Sequence, residues 1–161
     1  MFIQSQYQKL YEYHFHTCTQ LIDCAARLAA ADYQENPGYG HGSIHDILFH
    51  LLNTDRSWRT SLETGVQPAR LPAADYPDLN ALREGFEREH AAWKAPLERL
   101  SEDEFQGQLK VVSVRFGTVT MQRWHILQQV LLHGMQHHAE VAQLLTAKGQ
   151  SPGNIDFILY V

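Results

Sequence analysis

The sequence predicts an all-α protein, a four-helix bundle with a long crossover between helices two and three and a short hairpin before helix four. Apolar residues recur at spacings of three and four in four long segments, as on the buried face of a helix. Stretches with proline and glycine separate these segments. A length of 161 residues with 44% hydrophobic content suits one core, so we expect a single domain over residues 1–161.

The first two helices are predicted on either side of a loop that contains one proline and several glycines. Helix one runs from Phe2 to about Ala31. Helix two begins after Ser43, a residue whose hydroxyl can cap a helix, and it carries the acidic Asp46 in its first turn. Apolar residues then continue at helical spacing to about Glu63, where helix two is expected to end.

The second half of the chain begins with a crossover at residues 64–77, which contains three prolines and is expected to lack regular structure. Helix three is predicted over residues 78–100, with a kink near Pro96. A capping-box pattern from Ser101 to Glu104 can start one short turn.

A hairpin and the last helix complete the predicted fold. β-Branched and aromatic residues between Leu109 and Phe116, closed by Gly117, favour a strand or hairpin. Helix four is predicted from Thr120 to Ala147. The apolar segment at residues 156–161 is expected to dock on the bundle.

Charge and cysteine content exclude several classes of function. The net charge of −5 gives no basic field for phosphates, so we expect no nucleic-acid partner. No apolar run approaches the roughly 18 residues of a membrane helix, and no leader is visible, which predicts a soluble cytoplasmic protein without a membrane partner. Cys18 and Cys24 lie about 9 Å apart in rise on one helix and cannot bridge.

The ten histidines are the main chemical signal. His133 and His137 are four residues apart in helix four, which places both rings on one face about 6 Å apart in rise. Such a pair can supply two ligands to zinc, nickel or a similar ion. His50 is the candidate third ligand, because it interrupts an apolar run in helix two where an unpaired imidazole would be costly.

The histidine pattern also permits interpretations other than a three-histidine site. Paired histidines on helices also occur on surfaces and as hydrogen-bonded core residues. The zincin motif needs a glutamate directly after its first histidine, and Gly134 stands there instead. A di-iron bundle needs two Glu-x-x-His motifs, whereas only Glu87 and His90 form one, so His90 is expected to be solvated.

Four further residues could lie near the metal. Asp46 could orient the free ring nitrogen of His50, or could simply stabilise the helix start. Glu140 could handle protons near the ion or be solvated. His125 could line the same cavity, and His138 points roughly 100° away from His137.

The remaining histidines are assigned by their context in the sequence. One core and one surface position are expected for His14 and His16. Solvated roles are expected for His41 and His45 at the start of helix two.

The order of these motifs resembles the DinB family, which shares its fold with YfiT-like metal-dependent proteins. The resemblance rests on residues 44–58 around His50, on the helix-four segment from Arg123 to His137, and on the closing residues 156–160. It implies a four-helix bundle, frequently a homodimer, with a water-completed metal site at His50, His133 and His137.

The chain departs from the family pattern beside this site. Many relatives have Arg-Gly-Gln after the second histidine and Asn before the first, where this chain has His138-Ala139-Glu140 and Leu132. The resemblance therefore does not extend to a substrate.

A three-histidine site with an open position is typical of a catalytic ion. Such an ion could activate water or a thiol. The resemblance implies a metal-dependent transferase or isomerase that uses a low-molecular-weight thiol, and a hydrolase is the nearest chemical alternative. The alternative is a non-catalytic, stress-associated metal-binding protein that acts through partner contacts. The identities of the ion and of any small-molecule substrate stay open.

Overall fold

The computed structural model describes residues 2–115 and 117–161. In chain order these residues form α1 (Phe2–Ala25), α2 (Ala30–Gln34), α3 (Ile44–Thr64), α4 (Leu79–Arg99), α5 (Glu102–Gln106), β1 (Gln108–Ser113), β2 (Gly117–Gln122) and α6 (Arg123–Ala147). Single 3₁₀ turns occur at Ala73–Asp75 and Phe157–Leu159. The four long helices α1, α3, α4 and α6 confirm the predicted all-α fold class, and the two-stranded sheet is a minor addition.

The bundle core lies between the four long helices. Helix α1 packs against α4 and α6, and α3 packs against the same two helices, so each long helix contacts two others extensively. Tyr11 and Trp93 meet at the centre with ring centroids 4.6 Å apart. Burial of each large apolar side chain contributes roughly 1.5–3 kcal/mol. Fully buried core side chains include Leu21, Leu48, Leu51, Leu82, Ile126 and Leu127.

The ends of α3 are fixed by local sequence. The Ser43 hydroxyl accepts the backbone N–H of Asp46, and the Asp46 carboxylate accepts the backbone N–H of Ser43, which forms a capping box. Gly65 ends the helix in the left-handed conformation, with φ of 71°. This agrees with the predicted helix two to within one residue.

Two helix boundaries differ from the prediction. Helix α1 ends at Ala25 rather than Ala31, because the chain turns at residues 26–29 and starts the separate helix α2, which packs against α3 and buries Tyr33. Helix α6 begins at Arg123 rather than Thr120, because residues 120–122 pair with β1. Pro96 lies inside α4, and the kink near it stays a prediction.

The predicted hairpin is present. Strands β1 and β2 are antiparallel, with Gln108 opposite Gln122 and Ser113 opposite Gly117. Gly117 begins β2 instead of closing the run, Val114 lies in the turn with its side chain exposed, and Phe116 lies outside the described residues. The first crossover residues join the hairpin, since the backbone N–H of Gln67 donates to the Val112 carbonyl at 2.9 Å.

The C-terminal segment docks on α1 as expected. The rings of Phe157 and Tyr160 contact Tyr13, with centroids 5.2 and 5.6 Å away, and the Tyr13 hydroxyl donates to the Ile155 carbonyl. Ile158 is exposed, as are the neighbouring Leu159 and Val161. In the described part of the chain, none of the helices has the length and apolar character that crossing a bilayer requires.

Candidate metal centre

The packing of α3 against α6 brings the three predicted ligands together. His50 lies in the second turn of α3 on the side that faces α6, and His133 and His137 lie one turn apart on α6. His137 is 1% exposed, while His50 and His133 are partly buried. The cluster is therefore reached from one side, and its deepest member is His137.

The three rings present the same nitrogen to one point. His133 Nε2 lies 3.1 Å from His50 Nε2 and 3.1 Å from His137 Nε2. Two nitrogens at about 2.0–2.1 Å from a common zinc ion are about 2.9 Å apart at a right angle and about 3.4 Å apart at the tetrahedral angle. Both separations fall between these values, and all three donor atoms lie within 4.8 Å of one another, which fits a divalent transition metal.

The protonation of the cluster also favours a cation. Burial and the neighbouring His137 and His50 lower the pKa of His133 to about 4. The pKa of His50 is also lowered, by burial first and then by His137 and His41. Neutral imidazoles keep a lone pair for an ion.

Glu140 holds His137 in a metal-binding orientation. The His137 Nδ1–H donates to Glu140 Oε2 at 2.8 Å, so the lone pair of that ring lies on Nε2. Ligating histidines commonly donate their other ring N–H to a carboxylate in this way. Glu140 therefore contacts the cluster directly, and its role in proton handling stays a prediction.

His41 lies at the open side of the cluster, although the sequence placed it in solvent. Its ring stacks over His50 with centroids 5.9 Å apart and meets His137 edge-on at 4.7 Å. Its Nδ1 lies 3.1 Å from Glu140 Oε2. The side chain is still 47% exposed, so His41 is both a contact of the cluster and accessible to solvent.

The loop before α3 places His41. Gly42 has φ of 97°, and an added Cβ would lie 2.8 Å from Asp46 Oδ2. Only glycine permits this approach of the loop to the helix cap. Glycines on both sides of His41 indicate a turn with positive φ angles, and this was the one sequence feature that pointed to a fixed position for His41. Hydrophobic periodicity does not predict the path of such a loop.

Two other candidates lie away from the cluster. Asp46 forms the capping box of α3 with Ser43. Of its two predicted roles, this is the stabilisation of the helix start. His125 is exposed and contacts Trp124, with ring centroids 4.2 Å apart.

The remaining histidines also contact other parts of the protein. His138 faces α1, where it stacks on His14. His14 is buried and His16 is exposed, as expected. His45 Nε2 lies 2.9 Å from the Tyr76 carbonyl. His90 is partly buried against Phe15 and is therefore less solvated than expected.

Two surface clefts lie elsewhere on the bundle. The larger, of about 290 Å³, is lined by Tyr11, His90 and Trp93 between α1 and α4. The smaller, of about 70 Å³, lies near Tyr7 and Phe105. Neither is lined by any of the three clustered histidines.

The family model for DinB matches residues 1–161. The chain belongs to the DinB family. The family predicted from the order of its histidine motifs is thus confirmed. A comparison with curated proteins gave no significant match.

Solved structures from Bacillus subtilis share the fold of this DinB chain. A DinB-like protein, YjoA, is 17% identical with a TM-score of 0.64, and the match covers 88% of this chain and 92% of that one. YfiT is 17% identical with a TM-score of 0.67, over 91% and 90% of the two chains. YfiT is described as a probable metal-dependent hydrolase with an unusual four-helix bundle topology.

Proposed function

We propose that this DinB protein is a metal-dependent enzyme that binds one divalent ion through His50, His133 and His137. The observation that carries the proposal is the approach of three Nε2 atoms, with His133 Nε2 3.1 Å from each of the other two. Zinc and nickel are the expected ions, because both bind imidazole nitrogen well. The description of YfiT as a probable metal-dependent hydrolase supports the same class of site.

An ion held by three imidazoles keeps a position for water or substrate and lowers the pKa of the group bound there, which supplies a nucleophile near neutral pH. Residues around the ligands orient them and border the open position. Glu140 holds the Nδ1 proton of His137 and so fixes the ring that offers Nε2. His41 and Glu140 border the exposed side, where a small-molecule substrate would enter.

Two reaction classes are compatible with this site. The first is transfer or isomerisation with a low-molecular-weight thiol, and the second is hydrolysis, which the description of YfiT favours. Both require an ionised nucleophile at the open position, and they differ in whether that nucleophile is a thiol or water.

We also propose that the protein forms a homodimer. The molar mass in solution tests this.

Metal content tests the ligand assignment. Elemental analysis of protein purified without a histidine tag and without added metal should give one fewer ion per chain for His137→Ala than for the wild type. His125→Ala removes an exposed histidine outside the cluster and should keep the wild-type content. Equal metal content in His137→Ala and wild type would contradict the assignment.

Reaction with thiols separates the reaction classes. In cobalt-loaded protein, addition of a low-molecular-weight thiol should produce a sulfur-to-cobalt charge-transfer band in the difference spectrum, and His50→Ala should not produce it. A metal-loaded protein that hydrolyses simple esters or amides without such a band would be a hydrolase. Full metal occupancy with neither response would contradict an enzyme and favour the non-catalytic metal-binding alternative.

A further inference from the structure

A second cluster of metal-binding side chains lies where α6 contacts α1. His14 and Cys18 are one turn apart on α1, and His138 reaches them from α6. Cys18 Sγ lies 3.2 Å from His138 Nε2, and the rings of His14 and His138 stack with centroids 4.9 Å apart. One donor atom from each residue lies within 4.8 Å of the others.

The cluster is fully enclosed. His14 is 2% exposed, His138 is 1% exposed and Cys18 has no exposed surface. Gly134, one turn before His138, makes room for the His14 ring, since a Cβ there would lie 2.4 Å from His14 Nδ1. Three polar side chains thus converge in a part of the core that would otherwise be expected to be apolar.

Asp55 completes the arrangement from α3. Its carboxylate has no exposed surface, and Oδ2 accepts from His14 Nε2 at 2.8 Å. With Nε2 hydrogen-bonded to Asp55, an ion would take His14 through Nδ1, the nitrogen that lies beside Gly134. A carboxylate on the outer nitrogen of a ligating histidine is the usual support of a metal site, and it repeats the Glu140–His137 arrangement at the first cluster.

Hydrogen bonding around the cluster is incomplete. The Cys18 thiol lies within hydrogen-bond distance of His138 Nε2. His138 Nδ1 and Asp55 Oδ1 are buried with no hydrogen-bond partner among the described residues, and neither atom is one of the proposed donors to the ion. An unsatisfied buried polar group costs about 1–3 kcal/mol.

Charge balance favours a divalent cation. With an ion bound, a Cys18 thiolate and the Asp55 carboxylate would together balance two positive charges. Thiolate sulfur and imidazole nitrogen are both ligand types that zinc binds. Binding would displace the Cys18 proton, which leaves to solvent.

We propose that His14, Cys18 and His138 bind a second divalent transition metal ion, of the zinc class, inside the contact between α1 and α6. This site uses none of the residues of the first cluster and goes beyond the proposed function. It is enclosed, so it is a structural or storage position for the ion, whereas the first cluster is open to solvent.

Cobalt spectroscopy tests the second site, because only it contains a sulfur ligand. The full-length chain is refolded in the presence of cobalt, so that burial does not prevent loading. The wild type should bind two cobalt ions per chain and show a sulfur-to-cobalt charge-transfer band without any added thiol. His50→Ala should lose one ion and keep the band, which separates this proposal from the first cluster.

The two cysteines provide the matched control. Cys18→Ser should lose the band and one ion, whereas Cys24→Ser, at the other buried free cysteine of α1, should keep both. A refolded wild-type protein with no charge-transfer band would overturn the proposal, whether or not the variants fold. A band that persists in Cys18→Ser or disappears in Cys24→Ser would also overturn it.

Discussion

At the scale of single residues, small changes in side-chain size decide how α6 meets its neighbours. Gly134 lies where α6 crosses the His14 ring, and His14 is itself held by the Asp55 carboxylate. The ring therefore cannot swing away to accept a larger residue without breaking that hydrogen bond. The glycine that excludes the zincin motif thus has a packing reason.

Gly134→Ala should lower the free energy of unfolding by about 1–3 kcal/mol, since overpacking a filled core has a cost of this size. Helix propensity alone predicts the opposite sign, a gain of about 1 kcal/mol. Ala139→Gly, on the exposed face of α6, measures that propensity in the same helix and should cost about 1 kcal/mol. Denaturant unfolding of both variants decides the matter, and stabilisation by Gly134→Ala would contradict the packing argument.

At the scale of elements, a buried ion pair joins α3 to α4. Arg59 donates from Nη2 to Glu89 Oε2 at 3.0 Å and from Nε to Oε1, and Glu89 is only 5% exposed. Burial raises the pKa of Glu89, while the Arg59 guanidinium opposes the rise.

Arg59→Met should destabilise the protein by about 3 kcal/mol, because it leaves a buried carboxylate without its cation. The double variant Arg59→Met with Glu89→Leu should regain much of this loss. Arg88→Met is the control, since Arg88 is exposed and pairs with Glu84 at 3.6 Å on the surface, a contact worth little. Equal effects of Arg59→Met and Arg88→Met in denaturant unfolding would contradict the buried role.

The same variant should change the pH dependence of stability. Without Arg59 the pKa of Glu89 rises further in the folded state, so the folded protein binds a proton more readily than the unfolded chain. The stability linked to that proton is present below the unfolded pKa of about 4.3 and is lost as the pH rises through the folded value. The deficit of Arg59→Met should therefore shrink as the pH falls from neutrality toward this range.

At the scale of the whole molecule, the bundle has an extensive apolar core that does not involve the first histidine cluster. Tyr11, Trp93 and the buried leucines and isoleucines of all four long helices lie within it. The fold should therefore stand without an ion at His50, His133 and His137, and an ion should add stability by binding only the folded state.

Chelated wild-type protein should keep its far-ultraviolet circular dichroism. Zinc or nickel at about a hundredfold excess over Kd should raise the free energy of unfolding by about 2.7 kcal/mol, seen as a higher thermal midpoint. His125→Ala should respond as the wild type does. Loss of helix on chelation would show instead that the ion is required for folding.

The sequence predicts the helices better than it predicts the contacts between them. His133 and His137 follow from a four-residue spacing, and His50 from its apolar surroundings, because both signals are local. His41 depends on the path of a glycine loop. The pairing of His14 and Cys18 with His138 depends on how closely α1 approaches α6, which periodicity does not encode.

The consecutive positions of His137 and His138 have a mechanical consequence for α6. One imidazole points toward α3 and the next toward α1. The helix therefore cannot turn about its long axis to suit one neighbour without dragging the adjacent ring out of the other. A shift of either ring would therefore also displace the other, because both are carried by adjacent residues of one helix.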